Sequence, residues 1–152
     1  TLLFLNQLLF KFYLRKLCKW KSHVFTRMAE NLTALLGLHD RLLSATFEEA
    51  LQYYGYSVTK ASTPEEMIRL AGQNQYYDHI MDLNLGNPGS IDVTPASRTY
   101  AQVKSSVEAG EARFVGVSGK PEIVDAGKQE GIPSFYKSDF KIIEFAKQAH
   151  KL

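Results

Sequence analysis

The sequence predicts an α/β domain built on a five-stranded parallel sheet with helices packed on both faces. Two observations carry this. Between residues 31 and 152, short apolar runs alternate five times with longer amphipathic stretches, and a βα order repeated in this way calls for a parallel sheet under helices. One of the runs, RFVGV at 113–117, is also almost continuously apolar, as a strand buried on both faces is.

The elements follow in order. The first expected strand is the apolar run 32–38 (LTALLGL), whose Leu and Ala content would also suit a helix. Residues 41–54 repeat Leu43, Phe47, Ala50, Leu51 and Tyr54 at helical spacing, and Gly55 is placed to end that helix. Residues 56–61 (YSVTKA) alternate and are rich in β-formers. Ser62-Thr63-Pro64-Glu65-Glu66 combines a hydroxyl cap, a first-turn proline and two acids, which marks a helix start; that helix is expected to reach Gln75. A strand over 78–83 (DHIMDL) follows, then a turn-rich loop over 84–95 containing Gly86, Pro88, Gly89 and Pro95. A helix over 96–109 closes at Gly110, and the strand 113–117 leads through Ser118-Gly119-Lys120-Pro121 to a helix over 122–129. The last strand falls within 132–137 and the last helix within 140–150.

Charge divides the chain in two. Residues 1–27 hold Lys11, Arg15, Lys16, Lys19, Lys21 and Arg27 and no acid, while the remainder carries twelve basic against sixteen acidic side chains. The main domain is mildly acidic, which argues against nucleic-acid binding through it. In the basic segment Leu2, Leu5, Leu9, Phe12, Leu17, Trp20 and Val24 recur at roughly helical spacing. Residues 1–30 are therefore read as a basic amphipathic extension or linker with no part in the chemistry, next as a helix packed on the domain or a partner, and last as a contact with an anionic membrane surface. The uncharged run stops at Phe10, short of the ~20 apolar residues a membrane span needs. Met28 opens a stretch that would serve as a natural start. The single cysteine, Cys18, rules out an internal disulfide and a multi-cysteine zinc site, and suits a reducing compartment; a cytoplasmic setting is expected.

In open parallel sheets, ligands sit at the carboxyl ends of the strands. The sequence puts Asp82, Ser118 and Lys137 at the ends of the third, fourth and fifth strands, and His39-Asp40 after the first. Each has an ordinary structural alternative. Asp40 suits a helix cap, Asp82 a turn or cap, Ser118 a turn before a helix, and Lys137 a surface position. The four histidines show no metal-type spacing, and the Tyr53-Tyr54 and Tyr76-Tyr77 pairs suit packing better than base stacking. Neither a nucleophile elbow nor a phosphate-binding glycine loop is present, and Ser118 has no His–Asp partner set, so an independent hydrolase or nucleotide-binding enzyme is not expected.

Residues Tyr77-Asp78-His79-Ile80-Met81-Asp82-Leu83-Asn84-Leu85-Gly86, Val115-Gly116-Val117-Ser118-Gly119 and Ser134-Phe135-Tyr136-Lys137, in this order, resemble the receiver domain of two-component response regulators, the CheY-like superfamily. Gly55-Tyr56-Ser57-Val58 and Ala61-Ser62 are also similar to that family, and the resemblance covers residues 33–152. It implies a flavodoxin-like (βα)5 fold with strand order 2-1-3-4-5 and a signalling domain rather than a turnover enzyme. Asp82 would accept a phosphoryl group, Lys137 would pair with a phosphoryl oxygen and Ser118 would donate to it. Mg2+ would be held by the carboxylates of Asp40 and Asp82 and the backbone carbonyl of Asn84. The implied partners are a histidine kinase or phosphotransfer protein and a downstream protein docking near Phe140, Ile143 and Phe145; a homodimer is also compatible. The chain departs from the family at His39, which replaces one of two adjacent acids, in the longer loop after Asp82, and at Lys137-Ser138 where a Lys-Pro pair is usual. The position of the family's aromatic switch holds Ser134. The alternative expectation is a pseudo-receiver, an interaction module that has lost phosphorylation.

Overall fold

The computed structural model describes residues 32–150; the basic segment considered above lies outside the described residues. Five strands alternate with five helices: β1 (Thr33–Gly37), α1 (Arg41–Tyr53), β2 (Ser57–Lys60), α2 (Pro64–Ala71), β3 (Asp78–Asp82), α3 (Thr94–Glu108), β4 (Arg113–Ser118), α4 (Pro121–Gln129), β5 (Ser134–Tyr136) and α5 (Ile142–Gln148). The strands form one sheet in the order β2-β1-β3-β4-β5, all pairs parallel. The parallel five-stranded architecture is the one predicted from the alternation of apolar runs and amphipathic stretches, and the strand order is the one the resemblance implies.

Strand alternation sorts the core into two layers. Leu35, Met81 and Phe114 face one side and pack with Met67 and Leu70 of α2, Val103 of α3 and Ile123 and Val124 of α4. Ala34, Leu36, Ile80, Val115 and Val117 face the other and pack with Phe47 and Leu51 of α1 and Ile142 and Ala146 of α5. The three central strands are buried on both faces, whereas the edge strand β2 is exposed at both its ends. Among the described residues no helix is long and apolar enough to cross a membrane.

Local chemistry sets the helix ends. Asp40 caps α1, its Oδ1 accepting from the amides of Leu42 and Leu43 at 2.9 and 3.0 Å. Thr63 caps α2 by accepting from Glu66 N at 3.2 Å, while the Glu66 carboxylate reaches back to the Ser62 amide at 3.1 Å. α2 ends at Ala71, four residues before the expected Gln75, because Gly72 caps it and Asn74 turns into the left-handed region at φ 53°. α3 starts two residues earlier than expected. Pro95 belongs to its first turn, where a missing amide proton costs nothing, and Asp92 accepts from the Thr94 amide at 2.9 Å just ahead of it.

A charged clamp closes the amino end of the sheet. Asp78 and Arg113 are register partners at the starts of β3 and β4. The fully buried Asp78 carboxylate takes both Nε and Nη2 of Arg113, at 2.7 and 2.8 Å. Arg113 also donates to the Phe145 carbonyl at 3.0 Å and to Tyr56 Oη at 3.2 Å, and its guanidinium lies 3.7 Å from the centre of the Phe145 ring. Burial opposes charge on Arg113, but the bidentate bond to Asp78 wins and raises its pKa. Of the residues named as docking contacts, Phe140 and Phe145 are half-buried against each other, and Phe140 also packs on Phe47. Of the three residues named for docking, Ile143 is exposed.

Candidate functional site

The carboxyl ends of β1, β3, β4 and β5 converge on one carboxylate. Asp82 is the last residue of β3 and its side chain is 1% exposed. Its Oδ1 meets Lys137 Nζ at 2.7 Å. Its Oδ2 accepts the backbone amide of His39 at 2.6 Å. Both partners reach the carboxylate at charge-assisted hydrogen-bond lengths. Lys137 follows β5 directly and is anchored by its own amide, which donates to the Ser118 carbonyl at 3.0 Å. Ser118 ends β4, buried, with its Oγ accepting from the Lys120 amide at 3.2 Å. That role leaves the hydroxyl proton free to donate elsewhere.

The His39 ring takes a place that the spacing of the sequence did not suggest. Its Nε2 lies 3.2 Å from the Asn84 carbonyl and 3.9 Å from Asp82 Oδ2. His39 is thus bound to Asp82 through its backbone and stands over it with its side chain. Its position, between the last apolar residue after β1 and the cap of α1, was the signal available in the sequence.

Asn84 is buried, and its side chain pins the loop after β3 by donating to the carbonyls of Asn87 and Ser90 at 3.2 and 3.0 Å. Gly86 in this loop has φ +88°, and a Cβ there would come within 2.6 Å of Pro64 at the start of α2; the loop passes so close to that helix that only glycine fits. Asp40 is exposed and directs one carboxylate oxygen into the first turn of α1. The Leu43 amide is the main cause that lowers its pKa, and the charge of Lys137 contributes at longer range. The structure therefore brings Asp82, Lys137, Asn84 and His39 together with Ser118 on the next strand, and leaves Asp40 at the rim as a helix cap. Among the described residues no group of three or more His, Cys, Asp or Glu side chains is arranged to hold a metal ion. At the position expected for an aromatic switch, Ser134 is buried, donating to the Ile132 carbonyl at 2.8 Å and packed against Gly127, where a Cβ would collide with its hydroxyl.

The sheet order defines a doubly wound, flavodoxin-like α/β domain, a class in which ligands sit at the carboxyl ends of the strands, where Asp82 lies. Within that class, the fold is that of response regulator receiver domains. A receiver protein from Sinorhizobium medicae superposes with a TM-score of 0.59 at 19% identity, over 81% of this chain and 94% of its own. The receiver domain of a sensor histidine kinase from Pseudomonas aeruginosa, solved with a magnesium ion in its active site cleft, gives 0.58 at 17% identity over 80% and 96%. A Burkholderia pseudomallei response regulator, solved with a phosphorylated aspartic acid and a calcium ion, gives 0.58 at 17% over 80% and 72%. No protein-family model and no curated protein matches the sequence.

Proposed function

We propose that this chain is a signalling module that accepts a phosphoryl group on Asp82 from a histidine kinase, a phosphotransfer protein or a small acyl phosphate, in a cytoplasmic setting. The reading is carried by one observation, the buried Asp82 carboxylate at the end of β3 paired with Lys137 Nζ at 2.7 Å. A phosphoryl transfer asks the protein mainly for positioning and charge neutralisation. An Asp82 oxygen would attack phosphorus as the bond to the donor breaks, the donor leaving with that electron pair. Lys137 would exchange Oδ1 for a phosphoryl oxygen, Ser118 would turn its free hydroxyl proton to another, and the His39 amide would keep Oδ2 in place.

The Mg2+ expected from the resemblance does not fit the donors as they stand. Asp82 and Asn84 offer oxygens, but His39 Nε2 already faces both and Asp40 has one oxygen in its helix cap. Magnesium asks for near-octahedral oxygen ligation at about 2.1 Å.

A second reading, the pseudo-receiver, is favoured by the covering of Asp82, whose two oxygens are both engaged and whose side chain is 1% exposed. Intact mass after incubation with acetyl phosphate, with and without Mg2+, separates the two. One added phosphoryl group in wild type and none in Asp82→Ala supports the acceptor; no addition under either condition refutes it and leaves the interaction module.

A further inference from the structure

We infer that the His39 ring takes the place of a divalent cation at this site, its imidazole N–H bonded to the Asn84 carbonyl and set against Asp82, so that the protein recruits no metal ion there. The inference rests on the geometry around His39 alone and holds whether or not Asp82 is phosphorylated.

The bonding at one nitrogen is the starting point. His39 Nε2 faces the Asn84 carbonyl at 3.2 Å and Asp82 Oδ2 at 3.9 Å. A carbonyl and a carboxylate oxygen can only accept, so the nitrogen between them is the donor and carries a proton. A nitrogen that carries a proton has no lone pair for a metal. An ion within bonding distance of both oxygens would also press against that same N–H.

The ring is held where it is from both sides. The backbone of His39 is fixed to Asp82 by the 2.6 Å bond from its amide, and the next residue is locked as the cap of α1 through Leu42 and Leu43. Asn84 is held in turn by its two side-chain bonds across the loop to Asn87 and Ser90. The imidazole therefore ties the segment after β1, which carries it, to the end of β3 and its loop, and the two are anchored separately. Linking such segments is the structural work a cation would do there. The remaining oxygen of Asp82 has its own counter-charge in Lys137 at 2.7 Å. Each oxygen of Asp82 thus already has a partner from within the domain.

The test uses Mn2+ as a paramagnetic probe, followed by its electron spin resonance signal, and Mg2+ as its competitor. Wild type, His39→Asp, His39→Ala and the double variant His39→Asp/Asp82→Ala are compared, each first shown to be folded by its far-UV spectrum and melting transition. Wild type should show no saturable binding through the millimolar range. His39→Asp, which vacates the place and adds a carboxylate, should gain saturable Mn2+ binding that Mg2+ displaces and that Asp82→Ala abolishes. A second readout follows melting temperature: Mg2+ should raise it in His39→Asp and leave wild type unchanged. If His39→Asp does not fold, His39→Ala serves, with weaker binding expected. Saturable binding by wild type overturns the inference, and its loss in His39→Ala would make the ring a ligand. Failure of every folded His39 variant to bind, or binding that survives removal of Asp82, also overturns it.

Discussion

Replacing Lys137 by methionine keeps the length of the side chain and removes its charge, which leaves the Asp82 carboxylate buried with one amide as its partner. Breaking a fully buried pair costs about 3–5 kcal/mol, and breaking an exposed one about 0–1 kcal/mol. Asp82 is 1% exposed, at the buried limit, whereas Lys137 is 28% exposed and admits some water where the ammonium stood. The expected loss is therefore about 3 kcal/mol, at the low end of the buried range. Asp82→Asn is not its mirror image. It removes the buried charge and leaves an ammonium that water can reach, so its cost should stay near 1 kcal/mol. The double variant has no stranded carboxylate and should be more stable than Lys137→Met alone, with a coupling of about 2 kcal/mol. Urea unfolding followed by circular dichroism reads all three; with a slope of roughly 2 kcal/mol per molar, Lys137→Met should unfold at about 1.5 M less urea than wild type. Equal losses for Lys137→Met and Asp82→Asn, or simple additivity, would refute the argument that the buried partner decides.

Three further outcomes follow from other residues. Arg113→Leu should cost about 3–5 kcal/mol in urea unfolding by stranding the fully buried Asp78, and Asp78→Leu/Arg113→Leu should recover most of that. His79 is buried between Tyr76 and Phe114, and burial holds its pKa below the ordinary 6.5 despite the bond of its Nδ1 to the Arg113 carbonyl. The unfolded chain then takes up a proton that the folded domain refuses, so stability present above pH 6.5 is lost as pH falls below it, by at most about 1.4 kcal/mol per pH unit; the melting temperature of His79→Leu should fall less steeply on acidification than that of wild type. Gly127→Ala would drive a methyl into the Ser134 hydroxyl and against Leu83, and should lower stability by about 1–3 kcal/mol, read by thermal melting.

The fold was legible because both of its signals are strong: apolar runs long enough to be buried strands, and Gly, Pro or hydroxyl residues at nearly every boundary. Boundaries were missed where a residue type has two uses. Pro95 reads as a loop breaker and serves as the first turn of α3, and the polar stretch Gly72–Gln75 reads as a helix end that could fall at any of its positions. Asp82, Ser118 and Lys137 were singled out because strand ends are where such sheets gather chemistry. The role of His39 was hidden, since it rests on a backbone bond and on the loop of Asn84, forty-five residues away. The Asp78–Arg113 clamp was equally hidden, because charges at the starts of two apolar strands look exposed until the register sets them side by side.

That register has a mechanical consequence. β3 carries a buried carboxylate at each end, Asp78 and Asp82, and each is gripped by a cation from elsewhere in the chain. The central strand is thus bolted at both poles and has no freedom to slide along its own axis. Any disturbance at Asp82 would have to leave sideways, along Lys137 to β5 and α5 and along Ser118 to β4 and α4. β3 is the fixed frame of the sheet, and β4 and β5 are the strands that lie to one side of it.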